Sequence, residues 1–330
     1  MILAPILSVL LVLMVDLAVG DPKNRYHPTA WIGRLVGKLA PYGRSNNPHL
    51  EKIYGVILVV MVITIISAFT VLFLSALQST ENLDTSYLSK LFTIILSAVA
   101  IGILLKTTIA IKGMIKHVSN IMTSLSGNDL EDARNRLSMI VKRNTKDLDK
   151  QHILSATLES ISENIVDGIT GPLFYFSIFG LLGAFVYRTV NTIDSMIGYK
   201  TDIFRNLGWF GANCDKVLNF LPARITSGVI ILSCFILAGD WRHSIQIMKR
   251  DGSKTSSPNA GYPMATMAGA LGVRLEKIGH YTLGDDKSEI TEKHLKTALS
   301  IMKITTILFV LLITIPIILA LSYVGWWFSA

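Results

Sequence analysis

The sequence predicts an all-α polytopic membrane protein with about four full transmembrane helices, two shallow or re-entrant helices and amphipathic helices at the cytoplasmic face. Composition is the first reason, because 51% of the 330 residues are hydrophobic and only 16% are charged. Soluble domains carry about 25% charged residues. The second reason is that the apolar residues form long runs, and the third is how Lys and Arg are distributed between those runs.

Four segments are apolar enough to cross a bilayer whose hydrocarbon core, roughly 30 Å thick, needs about 20 helical residues. Residues 53–77 and 304–324 carry no charge, and the apolar character of 88–111 continues past Lys106. Residues 1–19 lack the basic start and the small-residue cleavage site of a signal peptide. We therefore expect this first segment to remain as a transmembrane helix.

Two further apolar runs, 172–187 and 225–239, contain 16 and 15 residues, which reach only about 24 Å in a helix. If neither crosses, 30 of the 31 Lys and Arg residues lie on one side, which the positive-inside rule assigns to the cytoplasm. If both cross, six spans result and 188–224 lies outside. We prefer a single membrane-integrated domain of four spans in the cell membrane, with catalytic insertions 112–171 and 188–303 at the cytoplasmic face.

We attribute the net charge of +8 first to this topology, which places Lys and Arg on the cytoplasmic side. Attraction to anionic lipid or substrate is the second explanation. Nucleic acid is not expected as a partner, because the basic residues are scattered and no aromatic platform accompanies them. Cys214 and Cys234 have no CxxC or Cys/His spacing, which argues against a cysteine metal site or a disulfide framework.

A row of carboxylates lies in the first insertion. Glu159, Glu163 and Asp167 recur every four residues, beside Asn164, with no Lys or Arg between them. On one helix face such like charges repel by a few tenths of a kcal/mol per pair, and a divalent cation would relieve that repulsion. A solvated helix face is the alternative.

An apolar stripe runs alongside the carboxylate row, formed by Leu154, Leu158, Ile161, Ile165 and Ile169. Upstream, Asp129 is a suitable N-cap for the helix that begins at "LEDARNRL".

A second polar block, "NTIDSMIGYK" at 191–200, follows an apolar run. Asn191 and Asp194 are three residues apart and share one face of a helix, with Ser195 and Lys200 close behind. The alternative is an N-terminal capping box.

The third block is "SSPNAGYPMATMAGALGV" at 256–273. We expect Pro263 in the first turn of a closely packed helix. Ser257, Asn259 and Gly261 would then precede a helix N-terminus, which is a ready anion site. A tight turn without a ligand is the alternative.

The fourth block, "DLAVGDPKNRYHP" at 16–28, follows the first helix. Asp16 and Asp21 flank the membrane surface, and His27 precedes Pro28. A single histidine is more often structural than catalytic, so His27 is a candidate only because of these neighbours.

The four blocks, in this order, resemble the adenosylcobinamide-phosphate synthase family of cobalamin biosynthesis. The similarity covers almost the whole chain, through D-x-x-x-G-D-P…H-P at 16–28, E-S-x-x-E-N-x-x-D-G at 159–168, N-T-x-D-S-M-x-G-Y at 191–199 and S-P-N-A-G…M-A-G-A-L-G-V at 257–273. Asn144 and Thr255 depart from an aspartate and a histidine that many members carry, so neither is assigned an acid or base role.

The resemblance implies ATP-dependent formation of an amide between a carboxylate of adenosylcobyric acid and (R)-1-aminopropan-2-ol or its O-phosphate, with Mg²⁺. Activation of a carboxylate by ATP needs metal ions to hold the phosphates. We expect Glu159, Glu163, Asp167 and Asp194 to bind Mg²⁺, with Glu163 and Asp194 counted as catalytic. Asn164, Asn191 and Ser195 would orient the substrate, and phosphate would be held by Lys200, Arg224, Ser257, Asn259 and Gly261. Asp21 or His27 would take the proton of the amine.

ATP use follows from the reaction and the resemblance, since "GRLVGK" at 33–38 is one residue short of a P-loop and lacks its Ser or Thr.

The partners implied are the corrinoid, the amine and the lipid bilayer. A homo-oligomer or a complex with other late cobalamin-pathway enzymes stays open. A noncatalytic membrane regulator or scaffold and a transporter are the competing classes; a transporter would place polar residues in broken helices at mid-membrane, and the long spans are almost free of them.

Overall fold

The computed structural model describes residues 3–22, 24–82, 87–198 and 204–326. These residues form thirteen α-helices and one two-stranded antiparallel ribbon. The elements are α1 Leu3–Ala18, α2 Pro28–Leu39, α3 Pro48–Asn82, α4 Tyr87–Lys106, α5 Ile111–Ser126, α6 Leu130–Ser138, α7 Lys150–Ile165, α8 Gly171–Ile197, α9 Trp209–Ile236, α10 Trp241–Asp251, α11 Pro258–Leu271, β1 Arg274–Lys277, β2 Tyr281–Gly284, α12 Glu292–Phe309 and α13 Ile315–Tyr323.

The all-α polytopic membrane class is confirmed. Five helical segments in the described part of the chain are long and apolar enough to cross a membrane, namely Pro48–Ser79, Leu88–Ser126, Lys150–Ile197, Trp209–Ile236 and Glu292–Tyr323. The first apolar helix, α1, has 16 residues, which is about 24 Å.

The two short apolar runs belong to helices longer than the runs themselves. Residues 172–187 lie in α8, of 27 residues, and most of 225–239 lies in α9, of 28 residues. Both helices extend through polar sequence, because Arg188–Asp194 and Asp215–Arg224 keep helical backbone. Length therefore does not separate spanning from shallow helices here, and the number of spans stays a prediction.

The chain divides into two compact units. The first comprises Met1–Ala110, Gly171–Leu218 and Val310–Ala330, and the second comprises Ile111–Thr170 and Asn219–Phe309.

In the first unit, α2, α3 and α8 share a buried apolar core that includes Val36, Val59 and Ile193. Glycines let α2 approach α8 closely: a Cβ on Gly33 would lie 3.3 Å from Met196 Sδ. The segment "GRLVGK" is therefore part of a packed helix rather than a phosphate-binding loop.

In the second unit, α7 is almost wholly buried. The predicted stripe is confirmed, since each of its members is at most 1% exposed: Leu154, Leu158, Ile161, Ile165 and Ile169. The predicted N-cap of α6 is also confirmed, because the Asp129 carboxylate accepts from the Asp132 backbone N–H at 2.8 Å.

Two irregularities interrupt the long helices near the predicted blocks. In the second unit, α7 is followed by a π-helical turn, Val166–Thr170, that contains Asp167; such turns are frequent at functional sites. In the first unit, Gly180 breaks α8 with φ 63° and ψ −155°, a conformation open to glycine.

Candidate active site

Glu159 is the centre of a buried cluster in the second unit. It lies on α7, is 2% exposed, and is held by both terminal nitrogens of Arg143, which lies between α6 and α7. Tyr281 on β2 donates its hydroxyl to Glu159 Oε2 at 2.7 Å, and Ser155 donates to Oε1 at 3.1 Å. The solvated-face interpretation is therefore wrong for Glu159.

Both main partners of Glu159 remain hydrogen-bond donors. Burial alone would lower the pKa of Arg143, but the hydrogen bond and charge of Glu159 raise it. Burial, followed by the negative charge of Glu159, raises the pKa of Tyr281 far above its ordinary value. The guanidinium stays charged and the phenol stays protonated, so the carboxylate is fully paired.

The rest of the carboxylate row is more accessible. Glu163 is exposed, and Asp167 and Asn164 are half-buried. The Asn164 amide donates to Ser160 O at 2.9 Å, which fixes its orientation. The row is therefore not three unneutralised charges: Arg143 compensates Glu159, and the other two carboxylates are more exposed than Glu159.

No group of three or more His, Cys, Asp or Glu side chains within residues 3–22, 24–82, 87–198 and 204–326 is arranged to hold a metal ion. Mg²⁺ is commonly bound by one or two carboxylates together with waters and substrate phosphates. Glu163 and Asp167 fit that pattern. Ligation by Glu159 stays a prediction, and the structure gives this carboxylate other partners.

Arg224 and Asn259 lie together, as their shared predicted role requires. Arg224 Nη1 donates to Asn259 Oδ1 at 3.1 Å and to Phe220 O at 2.7 Å. The guanidinium also lies over the rings of Phe220 and Tyr262, at 3.6 and 4.7 Å from the centroids. Stacking and hydrogen bonding hold this cation in one orientation.

The helix after "SSPNAG" begins earlier than predicted, which is a correction. Pro258 takes the first helical position with Ser257 as N-cap, so Asn259 and Gly261 lie inside the first turn and Pro263 lies within the helix. Pro258 suits the first helical position because its missing N–H costs nothing there.

The anion site predicted at this helix also has fewer backbone N–H donors than expected. Pro258 has no N–H, and the N–H groups of Ala260 and Gly261 both donate to Ser257 O. Gly261 is needed for packing, because a Cβ there would lie 2.4 Å from both Gly252 O and Thr255 Oγ1.

In the first unit, Asn191 and Asp194 occupy the last turns of α8, so the alternative of an N-terminal capping box is wrong. The Asn191 amide donates to Asp215 Oδ1 at 3.4 Å and accepts from Arg188 Nη1 at 3.3 Å. Ser195 is exposed and Asp194 is half-buried. Asp194 folds over Gly198, where a Cβ would lie 2.0 Å from Asp194 Oδ1.

Lys200, predicted to hold phosphate, lies outside the described residues.

The fourth block converges on Lys106, which ends α4. Its ammonium lies 3.0 Å from Asp16 Oδ1 and also pairs with Asp21. Lys106 is 4% exposed and Asp16 is fully buried. His27 Nε2 is 3.8 Å from Asp21 Oδ1.

The two candidate bases in this block, Asp21 and His27, differ in the partners of their side chains. Burial alone would raise the pKa of Asp21, but the interactions of its carboxylate with His27 and Lys106 outweigh burial and lower the pKa. Asp21 is therefore a weaker proton acceptor than an ordinary aspartate. His27 Nδ1 is buried without a hydrogen-bond partner in the described part of the chain, which favours His27.

Sequence reasoning missed Arg143, Tyr281 and Lys106 as partners of the predicted residues. The sequence did contain an indication for Lys106, since it is a single charge within an apolar segment. Such residues are usually paired and functional. Arg143 stands beside the Asn144 departure, but nothing in the sequence connects it or Tyr281 to Glu159.

Together, the helices and buried ionic clusters define a polytopic helical membrane protein with polar sites in both units. Residues 9–315 match the family model described as CobD/Cbib protein. The chain belongs to this family.

Curated relatives cover nearly its whole length. The chain is 40% identical over 305 residues to the "Probable cobalamin biosynthesis protein CobD" of Methanothermobacter thermautotrophicus, covering 92% of this chain and 94% of the relative. It is 39% identical over 285 residues to the "Cobalamin biosynthesis protein CobD" of Dehalococcoides mccartyi, covering 85% and 87%. No solved structure matches it significantly.

Proposed function

We propose that this protein is an ATP-dependent amide synthase of cobalamin biosynthesis. It joins (R)-1-aminopropan-2-ol or its O-phosphate to a carboxylate of adenosylcobyric acid, giving adenosylcobinamide or its phosphate. The active site faces the cytoplasm from the cell membrane. The observation that carries the proposal is membership of the CobD/CbiB family over 9–315, together with relatives named for cobalamin biosynthesis.

The second unit contributes groups suited to phosphate and metal. Glu163 and Asp167 are the accessible carboxylates that fit Mg²⁺, and Arg224 is a rigidly held cation beside Asn259 that suits a phosphate oxygen. Bound ATP and Mg²⁺ would supply activation of the corrinoid carboxylate, whose leaving group would otherwise be oxide. Arg143 holds the Glu159 carboxylate in one position and so supports the geometry of α7.

The first unit contributes polar groups for the amine and the corrinoid side chain. Asn191 is fixed between Arg188 and Asp215, and Ser195 and Asp194 lie one turn further along α8. An ammonium must lose a proton before it can attack a carbonyl carbon. His27 accepts that proton. Asp21 lies 3.8 Å from the Nε2 atom of His27 and is itself held by its ion pair with Lys106.

Two structural features favour a transporter as the second candidate. Buried ionisable residues and broken helices are typical of transporters, and this chain has Lys106 with Asp16 and a break at Gly180. A transporter changes the location of a corrinoid, whereas the proposed synthase changes its covalent structure.

The test uses a cobalamin-producing bacterium whose own CobD/CbiB gene is deleted. Expression of this chain should convert accumulated adenosylcobyric acid into the aminopropanol amide, and Glu163→Gln should not. Glu131→Gln, which changes an exposed glutamate of α6 in the same unit, is the matched control and should convert normally. Unchanged adenosylcobyric acid in cells whose membranes contain the wild-type chain would reject the synthase.

A further inference from the structure

The segment that joins α1 to α3 carries an excess of positive charge. Residues 22–50 contain five Lys and Arg residues and no Asp or Glu. The four that the structure describes are all exposed, namely Arg25, Arg34, Lys38 and Arg44. Within the described part of the chain, none of these four is ion-paired with a carboxylate. Their charge is therefore available to an external anion.

Helix α2 arranges part of this charge on one face. Ile32 and Val36 are buried in the core that α2 shares with α3 and α8. Trp31, Arg34 and Lys38 are exposed on the opposite side of the helix, with Trp31 at 49%. A tryptophan among cations suits the headgroup level of a bilayer, where Trp and Tyr are enriched and basic residues meet anionic lipid.

The loop before α2 is fastened to this outer face. The Trp31 indole Nε1 donates to Arg25 O at 2.7 Å, and Arg34 Nη2 donates to Asn24 O at 3.4 Å. The Arg25 guanidinium lies 5.7 Å from the centroid of the Tyr26 ring, and Tyr26 is 62% exposed. Loop and helix thus form one basic-aromatic surface, which consists of Arg25, Tyr26, Trp31, Arg34 and Lys38.

The basic-aromatic surface lies next to the apolar helices of the first unit. Residues 19–27 separate α1 from α2, and residues 40–47 separate α2 from α3, so α2 cannot lie far from the ends of either helix. Lys52, near the start of α3, lies 5.7 Å from the ring centroid of Trp209, the first residue of α9. Both α3 and α9 are long and apolar enough to cross a membrane. A bilayer that accommodates them therefore brings its headgroups to the level of α2.

We propose that the basic-aromatic surface binds the headgroups of anionic phospholipids. A lipid matches it better than a soluble anion does, because the exposed indole and phenol rings offer apolar area beside their polar atoms. Basic residues next to a spanning helix attract anionic lipid, and each Lys or Arg near the surface should raise the affinity roughly fivefold. The proposal does not depend on the synthase reaction, since none of these five residues has a role in it.

The test measures binding of phosphatidylglycerol with a fluorescent acyl chain to the purified full-length chain in neutral-detergent micelles, by fluorescence anisotropy. Phosphatidylcholine with the same acyl chains is the neutral reference. Wild type should prefer phosphatidylglycerol by about tenfold or more, and high salt should shrink this preference because it screens exposed charges.

Two double variants locate the preference. Arg34→Gln with Lys38→Gln should lower the affinity for phosphatidylglycerol by about tenfold or more and leave the affinity for phosphatidylcholine unchanged. The matched control is Lys146→Gln with Lys150→Gln, which removes two exposed lysines with the same four-residue spacing from the second unit. This control should bind both lipids as wild type does.

Three outcomes would overturn the proposal. Equal affinity of the wild type for the two lipids excludes a headgroup preference. Equal losses in the two double variants place the preference outside the basic-aromatic surface. Displacement of the labelled lipid by excess inorganic phosphate or polyglutamate at constant ionic strength assigns the surface to a soluble anion or an acidic protein instead.

Discussion

Arg143 and Glu159 form a two-point ion pair from which water is nearly excluded, with side-chain exposures of 17% and 3%. The pair connects the α6–α7 loop to the middle of α7. Tyr281 completes it from β2, so three separate stretches of the second unit meet at one carboxylate.

Arg143→Met should lower the free energy of unfolding by about 3 kcal/mol, because it leaves a buried carboxylate without its counter-ion. The measurement is unfolding in mixed micelles, followed by circular dichroism. Arg136→Met is the matched control: its pair with Asp132 is exposed by 33% and 40%, and such exposed pairs contribute little to stability. Equal losses in the two variants would mean that the Glu159 cluster has no special stabilising role.

Lys106→Met should be strongly destabilising, again by about 3 kcal/mol, since Asp16 and Asp21 would lose their shared cation. The pKa of Asp21 should rise at the same time, because Lys106 is one of the groups that lower it. Lys90→Met removes an exposed lysine from the same helix and should change little. Comparable thermal midpoints for the two variants would contradict the cluster's importance.

Asp251 should make the second unit sensitive to acid. Its carboxylate is fully buried, pairs with Arg250 at 2.7 Å and Lys254 at 2.5 Å, and accepts from Gly284 N at 2.8 Å. Burial alone would raise its pKa, but these partners outweigh burial and lower it far below the ordinary value.

Because the folded pKa lies below the unfolded value of about 3.9, the stabilisation is fully present above that value and is lost progressively as pH falls below it toward the folded pKa. Unfolding free energy measured from pH 7 to pH 3 should therefore fall less steeply in Asp251→Asn than in wild type. Asp286→Asn, at an exposed aspartate nearby, should keep the wild-type slope. An unchanged slope in Asp251→Asn would reject this assignment.

Gly261→Ala should damage the start of α11. The added methyl would lie 2.4 Å from Gly252 O, a backbone atom that cannot move aside cheaply. We expect a loss of about 1–3 kcal/mol, typical of overpacking, with weaker anchoring of Asn259 to Arg224. Gly228→Ala meets nothing within 4 Å and should leave stability unchanged or slightly higher. Similar thermal midpoints would show that the close approach is not required.

Features set by residues close together in the chain could be predicted from the sequence, whereas contacts between residues far apart in the chain could not. The Asp129 cap acts over three residues and was found, and so was the buried stripe of α7, because a helical period sets both. The start of α11 was misplaced because "SPNAGYP" offers two prolines and only packing at Gly261 distinguishes them. Glu159 is separated from Arg143 by 16 residues and from Tyr281 by 122, so no spacing rule connects them.

Helix length was underestimated for a related reason. The apolar runs at 172–187 and 225–239 indicate where a helix is surrounded by apolar groups, not where its backbone ends. Asn191 and Asp215 keep helical conformation because they bond to each other and pack within the first unit. The sequence was sufficient to single out the polar blocks, whereas the partners of their side chains could be found only from the fold.

The most direct test of the synthase is mass spectrometry of corrinoids after incubation of the purified protein with adenosylcobyric acid, aminopropanol or its O-phosphate, Mg²⁺ and ATP. We expect a mass gain equal to the amine minus water that depends on ATP, persists in Glu131→Gln and disappears in Glu163→Gln and Asp194→Asn. Failure of well-folded protein to incorporate either amine would contradict the account, and near-normal turnover in both site variants would contradict the metal assignment.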